Sequence, residues 1–297
     1  MRIPFTMAKN DLGKTIIDEL KLCYEVDQSL LDDLSMVEIG GWINFGEFSL
    51  YRVHGRHFQY CFDVLYNHCF DDRIKVATLK FKHFSELEQS SYVYYRVENI
   101  VLYDAELLEV VMSLADMLGM VFHHITSLDL ARDFKFNVVQ KIRKVARDEA
   151  VKVIVNGKAV NKKKDISGAM LIFPLNFHRA KNPTIVVKQA KAVTNKTKGL
   201  TMCVYDKGHE IDMASGKEYI REFYDNPKSL HRLEVRINND EIKDYCRNVG
   251  NVAQDIALLS DQSFLDAMYE YHLSALLRFT RGRKKVDWSE ILCNGRV

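Results

Sequence analysis

The run Val121–Phe136, VFHHITSLDLARDFKF, sets the tightest condition on how this chain can fold. It reads as a strand, and alternate residues of a strand share a face. Ser127, Asp129, Ala131 and Asp133 then point one way, and Leu128 and Leu130 point the other. Two carboxylates with only an alanine between them are costly to bury unless something meets them. A metal, a basic side chain or plain solvent would do so.

The remaining elements are arranged around such a strand. Asp11–Leu34 predicts one or two amphipathic helices, with Ile16, Ile17, Leu20, Leu30, Leu31 and Leu34 at helical spacing. Ile43–Tyr66 predicts paired strands with a turn at His54-Gly55-Arg56, and Lys75–Phe81 and Tyr92–Leu102 predict two more. Asp104–Met117 predicts a helix with Asp104 as its N-cap and Gly119 beyond its end. A basic helix over Val138–Ala150, a hairpin around Asn156-Gly157 and a lysine-rich turn at Asn161–Asp165 follow. Ala169–Phe173 and Thr184–Lys188 are candidate strands, and Gly216–Asp225 is a short helix. His231–Ile237 alternates cleanly, with Arg232, Glu234 and Arg236 on one face. From Asp240 onward the pattern is helical, over Asp240–Arg247, Val252–Leu259 and Gln262–Thr280. The fold class is therefore α+β: a central antiparallel sheet with helices on one face and a helical C-terminal part.

With 297 residues, 47% apolar and 28% charged, the chain is sized for one large domain or two ordinary ones. No apolar run approaches a membrane span, and Met1–Lys21 lacks a signal-peptide profile. The six cysteines are scattered without a C-x-x-C pair, which fits reduced thiols in a cytoplasmic protein. His54, His57 and His68 lack metal-ligand spacing, and the adjacent His123 and His124 fall on opposite faces of a strand. Net charge is only +2, yet Lys135–Lys198 holds 16 Lys or Arg against three acids, and Arg278–Lys285 is a second basic cluster. That asymmetry points to a polyanionic partner.

The apolar strand in Gly199–Glu210, GLTMCVYDKGHE, places Thr201, Cys203, Tyr205 and Lys207 on one face. A phenol beside an ammonium at a strand end is a plausible nucleophile site. Four strands thus carry polar residues that want one neighbourhood: Glu98 in RVEN, Asp129 in SLDLARDF, Tyr205 with Lys207 in VYDKGHE, and Arg232 with Glu234 in HRLEVRI. In this order they resemble the trans-acting rolling-circle replication initiators of bacterial plasmids, the Rep_trans group, and are similar to the replication-nicking proteins of filamentous phages. In those families an acid-bearing strand precedes a helix and a second follows it. A tyrosine strand ending in Y-x-K comes next, then an R-x-E strand. The resemblance covers roughly Tyr92–Ile237. The His-hydrophobic-His metal motif of the larger nicking superfamily is absent from the sequence, so carboxylates would have to supply any metal ligands.

The resemblance implies a bacterial cytoplasmic protein that nicks and rejoins one DNA strand at an origin with a single-stranded or hairpin nick site. Tyr205 would be the nucleophile, forming a covalent 5′-phosphotyrosine. Lys207 and Arg232 would be its cationic helpers, and Glu98, Asp129 and Glu234 would hold Mg²⁺ or Mn²⁺. Asp133 is a weaker fourth acid, and Tyr219 and Tyr224 are possible second tyrosines. Residues 1–90 would be a strand and helix region packed with the core, 91–240 the nicking core, and 241–297 a helical C-terminal region. Host helicase and polymerase, and a second copy of the chain, would be further partners. A relaxase for conjugative transfer would use the same residues. A DNA-binding protein without enzymatic activity and a phosphodiesterase that uses water are the readings from other classes.

Overall fold

A computed structural model describes residues 12–69, 72–84, 91–160, 171–172, 184–189 and 199–292. The lysine-rich turn at Asn161–Asp165 and most of the strand expected at Ala169–Phe173 lie outside the described residues. The chain is mixed α and β with large antiparallel sheet pairings. It divides into two compact units.

The first unit holds Asp18–Leu128 and Gln254–Ile256. Its strands are β1 (Thr15–Glu25, from Asp18 on), β2 (Trp42–Phe45), β3 (Phe48–Val53), β4 (Phe58–Cys69), β5 (Asp72–His83), β6 (Tyr92–Val97) and the start of β7 (Val121–Phe134). They lie in the order β7-β1-β6-β5-β4-β3-β2, and the run from β2 to β6 is an antiparallel meander. Gly46 takes a positive φ in the tight turn that pairs Phe45 with Phe48. At Gly55 a β-carbon would sit 2.3 Å from the Phe58 carbonyl oxygen, so the second turn admits no side chain. Leu20, Leu22, Leu50, Phe62, Val64, Leu79, Val93 and Tyr95 are fully buried. Among its described residues the α-helices are α1 (Gln28–Met36) and α2 (Ala105–Met117), the second as expected from the sequence.

One expectation is corrected here. The helix read over the first part of Asp11–Leu34 is strand β1, and only its end, α1, is helical. Ile16, Ile17 and Leu20 fit a helical period, but Leu20, Leu22 and Tyr24 alternate and are all buried. β1 pairs antiparallel with β6 from Leu20–Val97 to Glu25–Tyr92. A strand with a neighbour to bond wins over a weak helical stripe.

The second unit holds Asp129–Ala253 with Lys9–Ile17 and Ala257–Val297. Its larger sheet runs β10-β11-β12-β13 and on to the second half of β7, with β10 Leu171–Ile172, β11 Ile185–Lys188, β12 Thr201–Asp206 and β13 His231–Asn238. A smaller sheet runs β15-β14-β8-β9, with β8 Val151–Val155, β9 Lys158–Ala159, β14 Leu277–Arg281 and β15 Lys284–Val286. Asn156 and Gly157 both have positive φ between β8 and β9, the hairpin turn that an Asn-Gly pair favours. The helices are α3 (Val138–Arg147), α4 (Lys207–Glu210), α5 (Glu218–Phe223), α6 (Asn239–Tyr245), α7 (Gln262–Leu276) and α8 (Trp288–Leu292).

The C-terminal part is therefore not all helical. The helix expected over Gln262–Thr280 stops at Leu276, and Leu277–Arg281 pairs with β8 and β15. Phe279 and Leu277 are fully buried there, Phe279 against the Trp288 ring. Burying a Phe or Leu contributes about 2 kcal/mol, which outweighs the few tenths by which helix propensities differ.

Candidate active site

β12 and β13 build the site. Met202 and Val204 are fully buried, while Thr201, Cys203 and Tyr205 occupy the other face, as the alternation predicts. The register pairs Tyr205 with Arg232, Cys203 with Glu234 and Thr201 with Arg236. Glu234 is thus a diagonal neighbour of Tyr205, within reach on one face. The Tyr205 hydroxyl donates to Glu234 Oε2 at 3.0 Å.

The two carboxylates of β7 are met by arginines. Arg236 Nε donates to Asp129 Oδ2 at 2.8 Å, and its Nη2 reaches Glu234 Oε1 at 3.3 Å. One guanidinium thus ties together the acids of two strands beside the phenol. The Asp129 and Glu234 side chains are nearly buried, whereas that of Arg236 is 46% exposed. Burial disfavours the Arg236 charge, but Asp129 and Glu234 more than offset it and hold its pKa above the usual value. The Cys203 thiol is pushed up to about 12, first by burial and then by the Glu234 carboxylate. It is a neutral wall of the site.

Asp133 and Arg232 form the second pair. Arg232 donates from Nε to Oδ1 at 2.8 Å and from Nη2 to Oδ2 at 2.6 Å, a bidentate fork. Both side chains are 0% exposed. Arg232 was expected to clamp a phosphate oxygen. A clamp needs N–H groups at a surface, and this guanidinium has none there.

Lys207 also departs from expectation. The strand ends at Asp206, whose Oδ1 accepts from the His209 amide, and Lys207 opens α4. Its ammonium is buried, 2.7 Å from Glu210 Oε2 and 5.8 Å from the centre of the Tyr205 ring. It therefore approaches the ring from a helix and not along a shared strand face. Of the rival phenols, Tyr219 is half-buried on α5, and Tyr224 is buried against Phe223.

Glu98 belongs to the first unit, at the end of β6. It lies 3.4 Å from the Lys75 ammonium and accepts from the Thr78 hydroxyl at 3.4 Å. Arg96, on the same strand, reaches Glu19 Oε2 at 3.5 Å.

The reverse face of the second unit's sheet is braced by α7. Arg132, pointing away from Asp129 and Asp133, donates to Asp266, Glu270 and the Thr15 hydroxyl. Its guanidinium stacks 4.6 Å from the centre of the Tyr269 ring, and the Tyr269 hydroxyl donates to the Leu233 carbonyl at 3.0 Å. Such bracing fixes the strands that carry the site.

Arg236 is the functional candidate missing from the sequence-based set, where it appears only as a face-mate of Arg232 and Glu234. The signal was present in R-x-E-x-R: the same alternation that faces Glu234 toward Tyr205 brings Arg236 with it. Among the described residues no helix is long and apolar enough to cross a membrane. In chemical terms the site offers a phenol hydrogen-bonded to a carboxylate, a second carboxylate, and a half-exposed guanidinium joining the two acids.

No family model matches the chain, and no curated protein matches it. Among solved structures it is similar to "Structure of Rolling Circle Replication Initiator Protein from Geobacillus stearothermophilus", at 13% identity and a TM-score of 0.45, over 93% of this chain and 90% of that one.

Proposed function

We propose that the protein initiates rolling-circle DNA replication by nicking and rejoining one strand through a covalent tyrosyl intermediate. The observation that carries the reading is the hydrogen bond from the Tyr205 hydroxyl to Glu234. A free phenol has a pKa of about 10 and needs a base to act at neutral pH. Glu234 is placed to take its proton.

The step balances as a transesterification. The Tyr205 oxygen attacks phosphorus, and its proton passes to Glu234. The new O–P bond forms as the bond from phosphorus to the 3′ oxygen breaks, and that oxygen leaves with a proton from solvent. The 3′ hydroxyl is then free to prime a host polymerase, and the phosphotyrosine keeps the ester for rejoining. Arg236, half-exposed at the same acids, takes the clamping role on a phosphate oxygen. Asp129 and Glu234 offer the carboxylate oxygens that suit Mg²⁺ or Mn²⁺, and such an ion would stabilise charge gathering on the phosphate. The basic faces of α3 and β8, with Lys141, Lys144, Arg147 and Lys152, supply phosphate contacts along the strand.

A second reading has its own support. Arg236 already neutralises Asp129 and Glu234, so the acids could be sheet-face ion pairs of a protein that only binds DNA. Incubation with Mg²⁺ and a supercoiled plasmid carrying the DNA around the coding region separates the two. Nicked circles with protein on the 5′ end are expected. Nicks without attachment point to hydrolysis, and a shifted band without nicking points to binding alone. Either of these overturns the tyrosine mechanism.

A further inference from the structure

The first unit contains a cluster that the nicking chemistry does not use. Cys23 on β1 and His123 and His124 on β7 bring one ligand atom each within 4.8 Å of one another. β1 and β7 are neighbours in the sheet, so this meeting of residues 100 positions apart is built by strand pairing. The two histidines, expected on opposite faces, instead approach through their Nδ1 atoms at 2.6 Å. The thiol is buried, His124 is half-buried and His123 is exposed. The Tyr92 ring lies 4.9 Å from the His123 ring and walls one side.

We infer that Cys23, His123 and His124 form a binding site for a borderline divalent cation, with Zn²⁺ as the best fit. One thiolate and two imidazoles are the donors such an ion prefers, and they exclude the hard cations that carboxylates take. Three protein ligands leave a fourth position, and the exposed edge at His123 opens it to water. Tetrahedral zinc at about 2.0 Å from each nitrogen holds the two nitrogens roughly 3.3 Å apart. The rings therefore part by about 0.7 Å on binding, a small turn within the broad wells of their outer torsions. The thiol gives its proton to solvent as the sulfur takes the metal. An ion there would staple β1 to the first residues of β7.

Cobalt replaces zinc and reports its ligands, so the test is a Co²⁺ titration of the whole chain under reducing conditions. A sulfur-to-cobalt charge-transfer band in the near ultraviolet, saturating at one equivalent and bleached by Zn²⁺, is expected. Cys23→Ser should abolish the band. His123→Ala, an exposed change that leaves the fold in place, should weaken the affinity at least tenfold. Cys203→Ser should leave the band intact, which separates this cluster from the carboxylates beside Cys203. Absence of the band, its survival in Cys23→Ser, its loss in Cys203→Ser, or unchanged affinity in His123→Ala would each overturn the site. None of these readouts depends on DNA nicking, so the two proposals fail separately.

Discussion

Two arginine–carboxylate stations sit four residues apart on one face of β13, and they are put to opposite uses. At Arg232 and Asp133 both side chains are wholly buried and locked in a bidentate fork. At Arg236 the guanidinium is half in solvent and divides itself between Asp129 and Glu234. A dry pair is strong only while both partners remain, since losing one strands a buried charge. A pair whose arginine is half in solvent can open to a ligand at less cost than a fully buried one, because the guanidinium stays partly hydrated during exchange. Tyr205 bonds to Glu234, a member of the wet station. The lesson is that a strand face graded from dry to wet can anchor itself at one end and keep an exchangeable ion pair at the other.

The largest effect that could break this contrast comes from the phenol. Tyr205→Phe should lower covalent attachment to nicked DNA by about a thousandfold or more, as loss of a nucleophile does. Its stability should change by only about 1 kcal/mol, the worth of one hydrogen bond. A labelled-DNA adduct assay with a urea melt reads both. Next, Asp133→Asn should cost about 3–5 kcal/mol in the urea melt, because Arg232 is left buried without its counter-charge. A neutral result there would remove the distinction between the stations.

Acid offers a third handle. His272 on α7 is buried among Tyr245 and Tyr271, and burial lowers its pKa from 6.5 to about 4. Between those values the unfolded chain binds the proton that the folded chain refuses. Stability should therefore fall as pH drops through 6.5 and level off near 4, by about 3 kcal/mol in all. His272→Phe should remove that loss. If the loss persists, the carboxylate stations set the acid limit instead. The smallest and sharpest test is a matched pair. Arg232→Lys should destabilise by about 2 kcal/mol, since an ammonium cannot reproduce the buried fork. Arg236→Lys should move the melt by under about 1 kcal/mol and instead slow nicking about tenfold.

Much of this was legible in the sequence where period and chemistry agreed. The Asn156-Gly157 hairpin, α2, β12 and β13 follow from local pattern alone, and so does the shared face of Arg232, Glu234 and Arg236. The need of Asp129 and Asp133 for partners was also visible, though the identity of those partners was not. It depends on which strand lies beside β7, with 99 and 107 residues separating the bonded side chains. β1 reads as a helix because its first apolar residues, Ile16, Ile17 and Leu20, fit a helical period, and β14 because its partner, β8, is more than a hundred residues upstream. Lys207 was placed on a strand because Asp206 does not announce in sequence that it caps a helix.

Those long separations govern when the two stations can form. Closing a loop of this size costs chain entropy before any contact rewards it, so such pairings form late. On a ribosome, Asp129 and Asp133 emerge about a hundred residues ahead of the arginines that neutralise them. Until β13 arrives the two acids lack their arginines and the Tyr205 hydroxyl lacks its carboxylate partner. A product truncated before His231 would keep Tyr205 but lack Arg232, Glu234 and Arg236, and with them both ion-pair stations.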